Sequence, residues 1–210
     1  MNDDLPPAKR PKRPLLWSFD LAPLEHRFRS FVIKEDAFSP EECDRIIALG
    51  EDGLARRAAA GEAGDGVHPE IRQSTITWLP PSKETSLVYR RIELVARTAN
   101  ERFFRFLLMG MGEAVQFARY GAGGDHYGWH QDIGEGPPVL RKLSVVVLLS
   151  DASAYEGGDL EVRVSDRISS TSRTRGAMIL FPSWQLHRVT PVTGGLRYSL
   201  ACWLSGEPFR

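Results

Sequence analysis

Two histidines and an aspartate are the residues of this chain whose types and spacing are typical of a metal site. His130 and Asp132 form a His-x-Asp pair in the glycine-rich segment "DHYGWHQDIGEG", and His187 lies on a later segment, "FPSWQLHRVTP". In an extended chain, residues i and i+2 point to the same face, so His130 and Asp132 can reach one ion. Two imidazoles and one carboxylate make the facial triad typical of non-haem Fe(II), which leaves positions open for a co-substrate and oxygen.

An arginine follows the second histidine at a position that complements such a metal centre. Arg197 lies in the segment "GGLRYSL", which is predicted to be the strand after the one that carries His187. A guanidinium binds a carboxylate through two parallel hydrogen bonds, so this fixed cation suits a dicarboxylate co-substrate. The same ligands also suit zinc. The residues alone therefore leave open an Fe(II) oxygenase and a zinc-type metal-binding protein, either a hydrolase or a sensor, without oxygenase activity.

The elements that must position these residues are predicted to be mostly strands. Short segments rich in apolar and β-branched residues are separated by turn residues, and no pattern of helical length interrupts them. These segments are residues 113–120, 142–150, 159–165, 177–182, 187–192 and 196–204, with two earlier ones at 30–38 and 71–79. Gly157 and Gly158 indicate a turn, and Gly194 and Gly195 a hairpin turn. The pattern predicts a mainly β fold with N-terminal helices (α+β) around a double-stranded β-helix, or jelly roll.

The N-terminal half is predicted to supply helices that support this core. Ser39, Pro40 and Glu42 form a capping box with proline as the first helical residue, which predicts a helix from Ser39 onward. Apolar residues at helical spacing predict a long amphipathic helix over residues 83–109.

The domain organisation is predicted from these elements. Residues 1–29 are expected to be a flexible tail, because they hold a basic, proline-rich cluster and no hydrophobic stretch of a secretory signal. Residues 30–210 are expected to form a single domain, with a helical support layer over 39–112 and the jelly-roll core over 113–210. The glycine-rich loop at 61–70 is a candidate mobile lid.

Composition restricts the partners and the compartment. The 210 residues contain 27 Lys plus Arg and 27 Asp plus Glu, so the formal net charge is zero, and no general nucleic-acid binding is expected. No apolar run has the length needed to span a membrane, so no membrane partner is expected. The two cysteines are far apart and have no metal-like spacing, which favours a cytoplasmic location.

From residue 119 onward the sequence resembles the 2-oxoglutarate and Fe(II)-dependent dioxygenases, specifically their prolyl 4-hydroxylase-like branch. The segments that carry the resemblance are "YGAGGDHYGWHQD", "RKLSVVVLLSD", "YEGGDLEV" and "GAMILFPSWQLHRVTPVTGGLRYSLACWL". The segment "IRQS" and the helix at Ser39 resemble the family more loosely. The resemblance implies an enzyme that uses Fe(II), 2-oxoglutarate and O2, hydroxylates a C–H bond, and releases succinate and CO2.

Residue by residue, the resemblance implies that iron is bound by His130, Asp132 and His187. It further implies that Arg197 binds the distal carboxylate of 2-oxoglutarate. Tyr120 matches a tyrosine that lines the co-substrate pocket, and Ser199 resembles a serine that adds a hydrogen bond. Some prolyl hydroxylases carry another tyrosine that contacts the co-substrate, and this chain has Leu148 there.

Four residues are candidates for the substrate side. Tyr127 has a family counterpart near the substrate, Trp129 is either a packing residue or a substrate contact, and Arg72 and Ser74 match an Arg-x-Ser element. Two substrate classes stay open, namely a prolyl or other residue of a peptide or protein, and a free amino acid or small metabolite. A peptide needs an open groove, whereas a small polar substrate needs a buried charged partner such as Arg72 or Arg119.

Overall fold

The computed structural model describes residues 29–59 and 70–208 as two facing β-sheets with two helices on the outer face of the larger sheet. The predicted tail therefore lies outside the described residues except for Arg29, and the predicted lid lies outside them except for Glu70. The division into a tail and a single domain stays a prediction.

Helix α1 (Pro40–Ala59) begins at the predicted capping box. The Ser39 amide donates to Glu42 Oε2 over 2.9 Å, and the Glu42 amide donates back to Ser39 Oγ over 3.2 Å. This reciprocal pair satisfies two amides that the first turn leaves without partners. The predicted helix start is confirmed.

Helix α2 (Ser86–Ala99) is shorter than predicted, because a π-helical turn (Asn100–Phe104) follows it and the chain is then extended. Arg105 adopts a left-handed conformation with φ of 58°. The Asn100 side chain closes the helix by donating to Phe106 O and accepting from Phe106 N, both over 2.9 Å. Neither α1 nor α2, the helices of the described residues, has both the length and the apolar character that a membrane span needs.

The strands of the described residues form two antiparallel sheets. In chain order they are β1 (Val32–Lys34), β2 (Arg72–Gln73), β3 (Thr75–Leu79), β4 (Gly110–Met111), β5 (Val115–Gly121), β6 (His126–His130), β7 (Arg141–Leu148), β8 (Tyr155–Gly157), β9 (Leu160–Val164), β10 (Arg167–Ser170), β11 (Met178–Pro182), β12 (His187–Val189) and β13 (Val192–Ser205). The larger sheet has the order β1-β11-β7-β13-β5-β3, with β4 and β8 also paired to β13, and the smaller has the order β10-β9-β12-β6-β2. The predicted jelly roll is confirmed.

Three predicted strands and turns differ from the structure. The strand predicted at 30–38 is limited to β1, because Asp36 turns the chain with φ of 52°. The segment 71–79 breaks at Ser74, so that β2 joins the smaller sheet and β3 the larger. Gly194 and Gly195 do not form a hairpin turn, since both lie within β13, where its pairing with β8 shifts register.

The core has two parts, one on each face of the larger sheet. Alternate residues of β5, β7, β11 and β13 pack against α1 and α2. The opposite residues, including Ala118, Leu148 and Phe181, pack towards the smaller sheet through Leu160 and Val189. Because side chains alternate along a strand, β13 carries apolar residues towards the helices and Arg197 and Ser199 towards the space between the sheets.

Candidate metal centre

Three potential ligand residues meet at one end of β6 and β12, two neighbouring interior strands of the smaller sheet. His130 ends β6, and His187 begins β12 directly opposite it in the strand register. Asp132 lies just beyond β6, where its amide donates to Ser183 O over 2.9 Å. The ligand atoms of the two histidines and the aspartate all lie within 4.8 Å of one another.

Backbone carbonyls orient both imidazoles. His130 Nδ1 lies 2.8 Å from Gly128 O, and His187 Nδ1 lies 2.9 Å from Gln185 O. A carbonyl only accepts, so in each contact Nδ1 carries the hydrogen and the neutral ring keeps its lone pair on Nε2. The two Nε2 atoms lie 3.6 and 3.5 Å from the carboxylate oxygens of Asp132. The free lone pairs therefore point to one place, as metal ligation requires.

The pKa shifts of Asp132 and His187 favour the charge states that bind a cation. Burial raises the pKa of Asp132, but His187, His130 and a 2.6 Å hydrogen bond from Ser144 Oγ outweigh it and hold that pKa below its usual range. Burial lowers the pKa of His187, which favours its neutral form. An anionic carboxylate and neutral imidazoles are the forms that bind a divalent metal, so this donor set fits Fe(II).

A β-bulge adds an aromatic ring to the metal centre. On β12, His187 and Val189 are two residues apart, but their partners on β6, His130 and Tyr127, are three apart. The extra residue places Tyr127 on the same face as His130, and the two rings stack with centroids 3.5 Å apart. Simple alternation along β6 would put Tyr127 on the face opposite His130, and the bulge is the reason that the two side chains share one face.

Trp129 lies outside the cavity that contains the ligands. The guanidinium carbons of Arg163 and Arg188 lie 5.2 and 4.7 Å from the centre of its ring. Both arginines follow inward-facing residues of β9 and β12, so this stack is on the outer face of the smaller sheet. Of the two interpretations of Trp129, the structure favours packing over substrate contact.

One cavity of about 270 Å³ lies between the sheets and is lined by all three potential ligands. The residues expected to bind 2-oxoglutarate, Tyr120, Arg197 and Ser199, line the same cavity. Leu148 is buried in the apolar cluster that contains Tyr120, so this position provides no hydroxyl group.

Arg197 is a buried cation whose hydrogen-bonding capacity is only partly used. Its side chain is in a residue that is 1% exposed, and Nη1 donates to Ser199 Oγ over 3.0 Å. Its guanidinium carbon lies 5.2 Å from the ring centre of Tyr120. Nε and Nη2 are buried and have no hydrogen-bond partner in the part of the chain that the structure describes. Since an unsatisfied buried donor costs about 1–3 kcal/mol, the two atoms fit a carboxylate ligand in this cavity.

Arg72 lies in the same cavity but is already held by its neighbours. Nε donates to Ser74 Oγ and Nη2 to Gln116 Oε1, both over 2.8 Å, and the guanidinium lies 4.8 Å above the ring of Tyr127. Ser74 orients Arg72 and does not itself line the cavity. Arg119, the other candidate for a charged substrate partner, pairs with a helix residue, Glu51, and does not line the cavity.

Sequence reasoning missed several residues of this site. Gln116 and Trp203 could have been found, because each lies an even number of positions from Tyr120 or Ser199 on a strand already assigned. Arg141 donates twice to the Glu113 carboxylate and once, over 3.1 Å, to Asp132 O. No sequence signal pairs Arg141 with Glu113, because Glu113 lies just before β5 and Arg141 begins β7.

Comparison with known proteins gives matches over most of the chain. Residues 115–205 match the family model described as the 2OG-Fe(II) oxygenase superfamily. A PKHD-type hydroxylase of Azoarcus sp. (strain BH72) is 32% identical over 175 residues, which covers 81% of this chain and 74% of that protein. A PKHD-type hydroxylase of Xanthomonas euvesicatoria pv. vesicatoria is 32% identical over 178 residues, which covers 80% and 75%.

Solved structures share the fold. A Pseudomonas putida prolyl-4-hydroxylase has a TM-score of 0.67 and 22% identity, and covers 84% of this chain and 93% of its own. A Trichoplax adhaerens prolyl hydroxylase, solved with a peptide fragment of hypoxia inducible factor, has a TM-score of 0.65 and 16% identity, and covers 84% and 83%. At these identities the structural likeness supports the jelly-roll fold alone.

Proposed function

Because the chain belongs to the 2OG-Fe(II) oxygenase superfamily, we propose that His130, Asp132 and His187 hold Fe(II) and that Arg197 holds 2-oxoglutarate. The protein is a 2-oxoglutarate-dependent hydroxylase, and its cofactors are Fe(II) and 2-oxoglutarate, with O2 as co-substrate. The alternative of a zinc-type protein without oxygenase activity is not favoured, because the matched relatives are hydroxylases.

Bound iron and 2-oxoglutarate supply the chemistry in which decarboxylation to succinate and CO2 is coupled to hydroxylation of a C–H bond. The chain supplies the donors, the carboxylate clamp and the enclosure. Asp132 contributes the negative charge, and the two histidines contribute neutral donors whose direction the backbone fixes. The Arg197 guanidinium would neutralise the distal carboxylate of 2-oxoglutarate, while the surrounding apolar cluster excludes water from this ion pair.

The observation that carries this proposal is the unused hydrogen-bonding capacity of Arg197. Arg197 lines the cavity that contains the metal donors, and its Nε and Nη2 have no partner among the described residues. A site that only stores a metal does not require such a buried cation. A dicarboxylate that reaches both the metal and Arg197 satisfies these atoms. The proposal therefore explains a group whose burial is otherwise unfavourable.

The test is to add Fe(II) and then 2-oxoglutarate to the metal-free protein without oxygen, and to record the visible spectrum. We expect the weak charge-transfer band of the iron chelate of 2-oxoglutarate in the native protein. The band should be absent from His187→Ala, and Arg197→Ala should bind iron but require more 2-oxoglutarate. Arg119→Ala, which removes an arginine of the same strand pair outside the cavity, is the control. Iron binding without a band in the native protein would contradict the proposal.

We propose that the substrate is a prolyl or other peptidyl residue, or an amino-acid-like molecule, which binds between Tyr127 and Trp203. Arg72, Tyr127 and Trp203 line the cavity beside the metal donors, which supports this location. The peptide in the Trichoplax adhaerens structure supports a polypeptide substrate. Formation of succinate should be measured with proline-containing peptides and with free amino acids. Stimulation by free amino acids alone would reject the polypeptide class.

We propose a reducing, cytoplasmic location for this reaction. Both cysteines are free and buried, and burial raises the pKa of Cys202 to about 12, so its thiol is unreactive. Such thiols are compatible with a compartment in which disulfides are rare. Cell fractionation with an antibody to the protein would test this location, and recovery in an oxidising compartment would reject it.

A further inference from the structure

The orientation of Arg197 requires an explanation beyond its own polar contacts. Within the described residues its one hydrogen bond is with Ser199, and a free arginine side chain has about 2 kcal/mol of rotamer entropy. Packing of its aliphatic stem must therefore fix the guanidinium. A Cβ built at Gly158 would lie 2.9 Å from Arg197 Cδ and 2.9 Å from Val192 Cγ2, so the backbone of Gly158 packs closely against the stem.

The segment 152–159, which contains Gly158, is in equally close contact with the start of β13. Gly157 has φ of 67°, and a Cβ there would lie 2.1 Å from Pro191 O. Gly195 has φ of 70°, and a Cβ there would lie 2.0 Å from Ala154 O. At Gly157 and at Gly195, backbone atoms of the segment 152–159 lie against backbone atoms of residues 191–195. A displacement of the segment would therefore displace the chain that leads to Arg197.

The same segment is joined to the chain that leaves His187. The Asp159 amide donates to Thr190 Oγ1 over 2.8 Å, and the Thr190 amide donates to Asp159 O over 2.9 Å. The Gly158 amide donates to Pro191 O over 3.1 Å. The segment 152–159 therefore contacts the chain that connects His187 to Arg197.

Arg173 holds this segment together. Nη1 donates to Gly157 O over 2.9 Å and to Asp159 Oδ1 over 2.6 Å. Nη2 donates to Tyr155 O over 3.0 Å and to Ala152 O over 3.3 Å. The guanidinium also lies 4.3 Å from the centre of the Tyr155 ring, and a Cβ built at Gly158 would lie 3.3 Å from Cδ2 of the same ring. One guanidinium therefore ties together four residues of the segment.

We propose that Arg173 is a positioning residue for 2-oxoglutarate: by fixing the segment 152–159 it fixes the stem of Arg197. The inference rests on the proposed function, since it concerns the clamp of that co-substrate. Arg173 and Asp159 are about one third exposed, at 33% and 35%, and an ion pair with this exposure contributes at most about 1 kcal/mol to stability. The contacts of Arg173 with three loop carbonyls therefore act mainly on local geometry.

The test compares Arg173→Ala with Arg175→Ala in the full chain loaded with Fe(II) without oxygen. Arg175 is a matched control, because it binds a backbone carbonyl of Leu149 and the carboxylate of Asp44 but does not touch the segment 152–159. The measurements are the Kd of 2-oxoglutarate by calorimetry, the Kd of Fe(II) by competition with a chromogenic chelator, and Tm.

We expect Arg173→Ala to weaken 2-oxoglutarate binding about tenfold and to leave the Fe(II) Kd within about twofold, as is typical of residues that orient a ligand-binding group. Arg175→Ala should lower Tm by a similar amount and leave the Kd of 2-oxoglutarate unchanged. Arg173→Lys should be intermediate, since an ammonium can pair with Asp159 but cannot reach all four acceptors. Asp159→Asn should give a smaller loss, since it removes the charge and keeps the shape.

Three outcomes would overturn the inference. They are an unchanged Kd of 2-oxoglutarate in Arg173→Ala, an equal loss in Arg175→Ala, and an equal loss of Fe(II) and 2-oxoglutarate affinity in Arg173→Ala. If Arg173→Ala does not fold, Arg173→Lys and Asp159→Asn decide by the same criteria. A native protein that binds Fe(II) but no 2-oxoglutarate would instead contradict the proposed function, so the two failures are distinguishable.

Discussion

The two ends of the cavity use arginine in opposite ways. At the end proposed to hold 2-oxoglutarate, Arg197 is almost fully buried, and two of its nitrogen atoms have no partner among the described residues. At the end proposed to hold the substrate, Arg72 is half-buried and is held by Ser74, Gln116 and the ring of Tyr127. A buried cation with unused donors is suited to an anion, whereas a cation already held by neighbours forms part of a wall. We therefore expect the first end to select a ligand by charge and the second mainly by shape.

The largest effect is expected from removal of a potential metal ligand between the two ends of the cavity. Asp132→Ala deletes the carboxylate ligand, and we expect Fe(II) affinity to fall at least about a hundredfold, since even residues that only support a ligand cost up to about that much. Turnover should be lost, and the far-UV circular dichroism spectrum should stay unchanged. Arg163→Ala, on the outer face of the smaller sheet, is the control. Retained Fe(II)-dependent turnover in Asp132→Ala would exclude this ligand set.

The second prediction tests whether Arg197 contributes to ligand binding and not to the stability of the fold. Arg197→Met should raise the Kd of 2-oxoglutarate about a hundredfold, because loss of one partner of a buried charge pair costs about 2–5 kcal/mol. The free energy of unfolding of the metal-free protein should be unchanged or higher, because an apolar side chain replaces a buried cation with unsatisfied donors. Urea denaturation measures this, and a clear loss of stability would show that Arg197 has a structural role.

The third prediction concerns the other arginine. Arg72→Met should leave the Kd of 2-oxoglutarate within about twofold and lower kcat/KM for the substrate about tenfold, because loss of the guanidinium that packs on the ring of Tyr127 would misplace a substrate bound beside it. It should also destabilise the protein, unlike Arg197→Met, since Ser74 and Gln116 lose a partner. Equal effects of the two substitutions on 2-oxoglutarate binding would remove the contrast between the two ends.

The smallest expected effect is on the pH dependence of stability in the metal-free protein. Burial lowers the pKa of His187, so the unfolded chain, with a histidine pKa of about 6.5, binds this proton first as the pH falls. Stability should therefore decline from pH 7 towards pH 5, by at most about 1.4 kcal/mol per pH unit for this group. In urea denaturation with a chelator present, His187→Gln should make the decline of stability with falling pH less steep. An identical slope in both proteins would assign it to other groups.

Asp132 should contribute only at more acidic pH. Its pKa is lower in the folded protein than in the unfolded chain, where an aspartate titrates near about 3.9. The stability that its anionic form contributes is present above this value and is lost as the pH falls through the lower folded pKa. Asp132→Asn should therefore not abolish the decline between pH 7 and pH 5, because burial still holds the pKa of His187 below that of the unfolded chain when the carboxylate is removed.

The sequence predicted the features that depend on local rules. The start of α1 follows from Ser39 and Glu42, and the jelly roll follows from the succession of short strands. His130, Asp132, His187 and Arg197 were brought into one cavity as their spacing on successive strands indicates. In these cases, the periodicity of a single element determines on which side a residue lies.

Other features depend on contacts between distant segments and could not be read from one stretch. Asn100 ends α2 through Phe106, although the apolar periodicity continues beyond it. Arg141 is paired with Glu113, which lies 28 residues earlier in the sequence. The face of Tyr127 depends on a register shift that is defined only by the pairing of β6 with β12.

The bulge in β6 makes the wall of the cavity depend on the length of the chain and not only on its residue types. Deletion of Gly128 would place Tyr127 two positions before His130, so that simple alternation would keep both rings on one face without a bulge. Loss of the bulge at the present chain length would instead turn Tyr127 to the outer face, and no substitution of Tyr127 itself would reproduce that change. The register of β6 against β12, and not only the type of residue, thus decides which ring lies beside the potential metal ligands.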